Sequence, residues 1–264
     1  MEFRFSEEQE LLRDSARALV GDLIDPAKVR SAIGADGDAV RSALWSAITE
    51  LGWSSVLIAD EHGGSGGSLV DACILAEELA AGLAPVPFVA AAVGAAGVLS
   101  ALDDRPALAA LAAGQPMSLL LDRRLRWPGA TADLMWDWLP GGEAIHVTGT
   151  TASRHAVDSP SRFERTDLLH PLAGVDGLDP QHIEPSEPIR RAVAATRVGA
   201  AAAALGIGRA ALHDAVDYAK QRVQYDRPIA EFQAVQHMCA EMLVDVETGH
   251  QISVAHVEVD CSWV

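Results

Sequence analysis

The chain is poor in cysteine, in aromatic residues and in positive charge, and each shortage excludes something. Its three cysteines among 264 residues, Cys73, Cys239 and Cys261, form neither a C-x-x-C pair nor a disulfide framework. Thiols that sparse suit a reducing, cytoplasmic setting. Nine histidines are scattered with no i, i+4 pair, so the ligand spacing of a helical zinc site is missing and no metal is expected. Aromatic residues make up only 5%, against 47 alanines. Alanine favours helices and is a poor strand former, which points to a mostly helical protein. Lys and Arg number 20 against 37 Asp and Glu, a formal charge of −17. A surface so negative repels phosphate backbones and argues against sequence-independent nucleic-acid binding. The opening residues, Met1 to Glu8, are mixed and acidic, unlike a secretory signal. The stretch from Leu83 to Leu102 carries no charge and is long enough to span a bilayer. Pro85 and Pro87 at its start, and its Ala, Gly and Val content, favour a core helix instead. What is plentiful is apolar material: 49% hydrophobic against 22% charged residues excludes a disordered chain and allows one or two folded units.

Ser6-Glu7-Glu8-Gln9 reads as a capping box, followed by Leu12, Ala16, Leu19 and Leu23 on one helical face. A second helix carries Val40, Leu44 and Ile48 and stops at Gly52. Ser54 to Ala59 is expected to be extended, leading into the glycine-rich turn 62–67. Ser68, with Asp71 three residues on, starts a third helix ending near Gly82, and residues 87–102 and 106–113 make two more. Residues 1–115 are therefore expected to form a helical domain. Short apolar runs at Met117–Leu121, Leu134–Leu139 and Ile145–Thr148 mark 116–186 as a small β-rich middle domain, with Gly141-Gly142 placed for a tight hairpin turn. From 187 to 264 the helical pattern returns, first as one long helix to Arg222 lined by Ala195, Gly199 and Ala203. Small residues at that interval allow close helix approach. A break at Pro228 precedes a further helix from about Glu231 to Thr248.

Two generic patterns fail on context. Gly63-Gly64-Ser65-Gly66-Gly67 imitates a nucleophile elbow, but no alternating α/β sheet surrounds it, so a glycine-rich turn is the reading. Gly206-Ile207-Gly208-Arg209-Ala210-Ala211 imitates a dinucleotide fingerprint, with Asp226 following, but a helix rather than a strand precedes it. The informative segment is Tyr218 to Ile229 followed by Phe232 to His237. A long helix delivers Arg222 at its end, and an arginine fork suits a pyrophosphate. Tyr225 adds an aromatic face, and Gln233 opens the next helix, whose free N–H groups favour anions. An arginine that merely caps helix carbonyls reads equally well from chemistry alone.

This segment resembles the signature of the acyl-CoA dehydrogenase family, in which the long helix ends in an R-x-x-F-G-x-P-[IL] loop followed by F-Q or H-Q. Leu51-Gly52-Trp53, Glu61 to Gly64, Glu77-Glu78-Leu79 and Leu83 to Pro87 resemble its N-terminal helical domain, and Ser6 to Gln9 its opening helix. The resemblance implies a mainly α fold with a small β middle domain: an N-terminal helical domain, a reduced β-domain and an incomplete C-terminal helical bundle. It further implies FAD as cofactor, contacted by Arg222 (usually in a neighbouring subunit), Tyr225 and Gln233. Arg197 would lie along the acyl-CoA pocket. The family abstracts an α proton with a glutamate, transfers a hydride from Cβ to the flavin, and passes electrons to an electron-transfer flavoprotein, a chemistry of lipid metabolism. Where one branch places that glutamate, directly before the long-helix arginine, this chain has Thr196, which cannot act as a carboxylate base; no catalytic residue is assigned. The T-E-P-x-A-G-S-D-like and W-[IV]-T-like flavin stretches are absent from the short middle segment, and Asp226 replaces the usual glycine. Gly249 to Val264 departs from the pattern. The expected role is the non-catalytic partner of a full-length acyl-CoA dehydrogenase subunit. Alternatives are a self-sufficient homo-oligomer and a non-enzymatic helical interaction module or truncated remnant. Without a partner, the stripe Ala195, Gly199, Ala202, Ala203 and Gly206 is expected to face water and destabilise the chain.

Overall fold

The structure, a computed structural model, describes residues 5–33, 37–121, 134–135, 143–148, 151–156, 161–162, 173–174 and 186–261. Helix α1 (Glu7–Leu23) begins at Ser6, whose hydroxyl accepts from the Gln9 amide while the Gln9 side chain reaches back. Its acidic first turn complements the positive end of the helix dipole. Helix α2 (Pro26–Ile33), too short to betray itself by periodicity, starts where the Asp25 carboxylate accepts from the amides of Ala27 and Lys28. Helix α3 (Gly37–Glu50) buries Leu44, Trp45 and Ile48. It ends just before Gly52, which takes φ +76°, a conformation glycine adopts without a Cβ penalty.

The extended stretch expected at Ser54–Ala59 is not there. Trp53–Ser55 and Asp60–His62 are 3-10 turns, closed by amide bonds such as Ile58 to the Ser55 carbonyl. Val56 and Ile58 are both buried, so their alternation imitates a strand, yet the helical surroundings offer the backbone no ladder to join. In the glycine turn the Ser65 hydroxyl donates to the Gly52 carbonyl at 3.2 Å, so it braces the loop and is no nucleophile. Helix α4 (Leu69–Ala81) opens with a second capping box, Ser68 with Asp71. Gln9 donates to Asp71 at 3.2 Å, tying the first turn of α1 to that of α4.

The uncharged stretch forms a π-helical segment (Val89–Ala95), running into α5 (Ala96–Ala101), and its residues are almost all buried. It is core, as expected; among the described residues no helix is long and apolar enough to cross a membrane. Helix α6 (Arg105–Ala112) is capped by Asp104. Strands β1 (Met117–Leu121), β2 (Leu134–Met135), β3 (Glu143–Thr148), β4 (Thr151–Ala156), β5 (Ser161–Arg162) and β6 (Ala173–Gly174) make one sheet in the order β4-β3-β1-β2-β6-β5. Only β1 and β3 run parallel. The tight turn expected at Gly141-Gly142 lies outside the described residues; in the sheet β1 sits between β2 and β3. β3 pairs antiparallel with β4, with Thr148 opposite Thr151. Buried Met117, Leu119 and Ile145 join the sheet to the helical core.

Helix α7 (Glu187–Gln221) has 35 residues and is therefore about 50 Å long. Its small-residue stripe is not exposed, contrary to the expectation. Gly199, Ala202 and Gly206 are buried, and Ala195 and Ala203 pack half-buried on the core. Gly199 faces Val89 and Val93, and a Cβ on Gly206 would collide with the Glu77 carbonyl of α4. The chain's own N-terminal helices thus cover the stripe. A two-stranded hairpin, β7 (Val223–Gln224) and β8 (Arg227–Pro228), leads to α8 (Gln233–Cys261), which continues well past the Thr248 end expected from sequence. Exposed apolar side chains include Met238, Leu243 and Val244 of α8, at 61%, 49% and 63%.

Candidate functional site

The junction of α7 and α8 gathers three of the four residues singled out from sequence. Arg222 ends α7: its amide donates to the Tyr218 carbonyl and its own carbonyl accepts from Ile229, both at 2.8 Å, closing the base of the hairpin. Among the described residues no hydrogen bond or ion pair engages its exposed guanidinium. The side chain is therefore not capping helix carbonyls. The turn residues Tyr225 and Asp226 have φ +52° and +63°. Two left-handed residues make the turn type whose twist matches a hairpin. Aspartate tolerates this backbone; tyrosine costs roughly 1–2 kcal/mol there. Part of that cost is recovered next door. The Tyr225 ring meets Phe232 edge-on at 6.2 Å, and the Arg227 guanidinium lies 4.2 Å over the Phe232 ring. Tyr225 nevertheless remains 88% exposed. Gln233 opens α8 and is exposed too. The preceding Phe232 has no side-chain oxygen with which to cap the first turn, so that helix end keeps its pull on anions.

Arg197 does not belong to this junction. It lies on the exposed side of α7, 25 residues before Arg222, or about 37 Å along the axis. Its neighbour Thr196 is 4% exposed, donates its hydroxyl to the Ala192 carbonyl at 2.8 Å and packs on Gly94. That hydroxyl is spent inside the core and faces no open cleft.

A charged cluster that the sequence reading did not single out joins four helices. Glu78 of α4, only 3% exposed, accepts from Arg17 of α1 through two nitrogens, at 2.9 and 3.3 Å, and from Arg209 of α7 at 2.8 Å. Arg209 also donates to Glu77 at 3.0 Å, and His250 of α8 stands 3.4 Å from the other Glu77 oxygen. Burial pushes the Glu77 carboxyl up, but His250 and Arg209 outweigh it and hold Glu77 below its ordinary value. The Glu77 hydrogen bond, against burial, raises the His250 imidazole above its ordinary 6.5. These residues, with Phe5, Ile74, Leu205 and Val246, line a pocket of about 200 Å³. The signal available in the sequence is the adjacent pair Glu77-Glu78 in a helix that is otherwise apolar beyond its first turn, where at least one acid must be buried and paired.

Known proteins resolve the family. Residues 6–103 match the acyl-CoA dehydrogenase N-terminal domain and residues 188–257 the C-terminal domain. Over 255 residues the chain is 31% identical to the acyl-CoA dehydrogenase IpdE2 of Mycobacterium tuberculosis, covering 93% of this chain and 74% of the relative. Its fold matches the ChsE4-ChsE5 complex of M. tuberculosis, with a TM-score of 0.75 at 20% identity over 98% of this chain and 82% of that one. It also matches an acyl-CoA dehydrogenase complexed with FAD from Bacillus anthracis, with a TM-score of 0.74 at 16% identity over 96% and 51% of the two chains. By the domain matches and this similarity, the chain belongs to the acyl-CoA dehydrogenase family.

Proposed function

We propose that the chain is the non-catalytic partner subunit of a hetero-oligomeric acyl-CoA dehydrogenase, acting on CoA thioesters. In this reading it supplies Arg222, Tyr225 and Gln233 to an FAD shared with a full-length family chain. The observation that carries this reading is the outward display of those three side chains on one hairpin junction, away from the body of the chain. FAD is the cofactor of the family, and the residues fit it. Arg222 offers an unengaged planar fork to pyrophosphate oxygens, Tyr225 a free aromatic face, and Gln233 an amide at an uncapped helix start. When bound, FAD supplies the acceptor for the hydride leaving Cβ of the acyl chain. Arg197, far along α7, lies in this proposal beside the acyl-CoA. Thr196 cannot remove the α proton, because a buried, hydrogen-bonded hydroxyl has neither the basicity nor the access. The carboxylate base then comes from the partner, and electrons leave to an electron-transfer flavoprotein. Hetero-assembly has a parallel in the structural relative described as a ChsE4-ChsE5 complex.

Co-expression with a larger family chain tests this. The two are expected to co-purify as a yellow complex, in which Arg222→Ala weakens FAD binding by about 1–3 kcal/mol through loss of a charge-assisted bond. Unchanged FAD affinity in that variant removes Arg222 from the site. Oxidation of acyl-CoA thioesters by the isolated chain at roughly 1 per second or faster contradicts the non-catalytic role.

A further inference from the structure

The cluster described above is a chain of alternating charge: Arg17 (α1), Glu78 (α4), Arg209 (α7), Glu77 (α4) and His250 (α8). Histidine is the one side chain whose ordinary titration falls between pH 5 and 8, and His250 occupies the end position of this series, on α8. Residues 233–251 of α8 are largely exposed. Among the described residues, Val246 lies beside Gly208, Gly249 against Leu205, and His250 beside Glu77. The first two are contacts with α7, and among the described residues His250 is the charged tie that reaches α4.

We propose that the His250–Glu77 contact is a proton-operated latch that holds the C-terminal half of α8 against α4 and closes the pocket between α1, α4, α7 and α8. The geometry makes the release local. Arg209 grips Glu77 from the far side at 3.0 Å and spans to Glu78, so a neutral His250 leaves Glu77 neutralised and the α1–α4–α7 body intact. Only α8 loses a partner. The groups facing His250 all bear on its charge. Glu77 and Glu247 favour the imidazolium, Arg209 opposes it, and Glu78, Arg13 and Arg17 line the same pocket. Phe5, perpendicular to the imidazole at 5.9 Å, packs against it from the chain's start. The sign follows from the directions of both shifts. The imidazolium contribution is fully present below 6.5 and is lost as pH rises through the raised folded value. The Glu77 contribution is present above its ordinary 4.5 and is lost as pH falls through its lowered value. The latch is therefore tightest at mildly acidic pH.

Hydrogen exchange on the full chain, corrected for intrinsic rates, reads this directly. Amides of residues 244–251 are expected to lose protection between about pH 6 and about pH 9, while those of α4 and the middle of α7 keep theirs. In His250→Gln the protection of α8 is expected to be low and independent of pH. Protection in wild type that does not change with pH, or the same change in His250→Gln, overturns the latch. Should that variant not fold, NMR titration of the wild-type imidazole decides. A His250 midpoint at or below 6.5 refutes the proposal, and one above it that returns toward 6.5 in Glu77→Gln supports it.

Discussion

Glu78 is the most deeply buried charged residue among those described. At 3% exposure it has lost nearly all its hydration, and three nitrogens from two arginines take the place of the water. Arg17 and Arg209 are themselves 51% and 35% exposed, so they can rehydrate when the carboxylate is removed. That limits the damage relative to a fully buried triad. Glu78→Ala is expected to destabilise the chain by about 2–3 kcal/mol, the scale of lost hydrogen bonds to a charged group. Urea unfolding measures it, and a loss under about 0.5 kcal/mol would mean that the site behaves as ordinary surface.

At the scale of elements, the crossing of α4 and α7 depends on an absent side chain. Gly206 sits where any Cβ would strike the Glu77 carbonyl, and Arg209, one turn on, pairs with both glutamates of α4. Alanine is normally favoured over glycine inside a helix by about 1 kcal/mol. Here the neighbour is backbone and cannot rotate aside, so Gly206→Ala has to separate the two helices. A net destabilisation of about 1–3 kcal/mol is expected from overpacking, despite the gain in propensity. A parallel exchange at Gly21, which has open space around it, is expected to be neutral or stabilising. Thermal melts of the two variants compare close packing with propensity in one protein.

The whole molecule carries a formal charge of −17, and acidification relieves repulsion while it removes specific pairs. At physiological ionic strength charges beyond about 8 Å are screened, so the paired and capping carboxylates dominate. Glu77 is held low by His250 and Arg209 against its burial, Asp25 by the backbone amides of Lys28 and Ala27, and Glu187 by Arg190 and Arg191. Each lowered value means stability that is present above the ordinary carboxylate range and is lost as pH falls through the folded value. The melting temperature is therefore expected to fall steadily below about pH 4.5 at constant salt. A rise on acidification would show that general repulsion outweighs the pairs. The small residues of the α7 stripe are covered by the chain's own helices, so the instability expected from that stripe has no basis in it.

What the sequence determines by itself is whatever is settled within a few residues. The Ser6–Gln9 and Ser68–Asp71 boxes, the helix ends at Gly52 and Arg222, the left-handed Asp226 and the motifs of the family were all legible there, because a cap or tight turn engages partners three or four positions away. Even locally, alternation misled at Val56 and Ile58, where an apolar pair points inward from 3-10 turns as readily as from a strand. Tertiary structure alone decided which strand lies beside which, with β1 inserted between β2 and β3, and which face of α7 is covered. It also brought Arg17 to Glu78 across 61 residues and Arg209 to Glu77 across 132. No local pattern encodes such pairs. Their strength comes from desolvation and approach distance, and both exist only once the helices have packed.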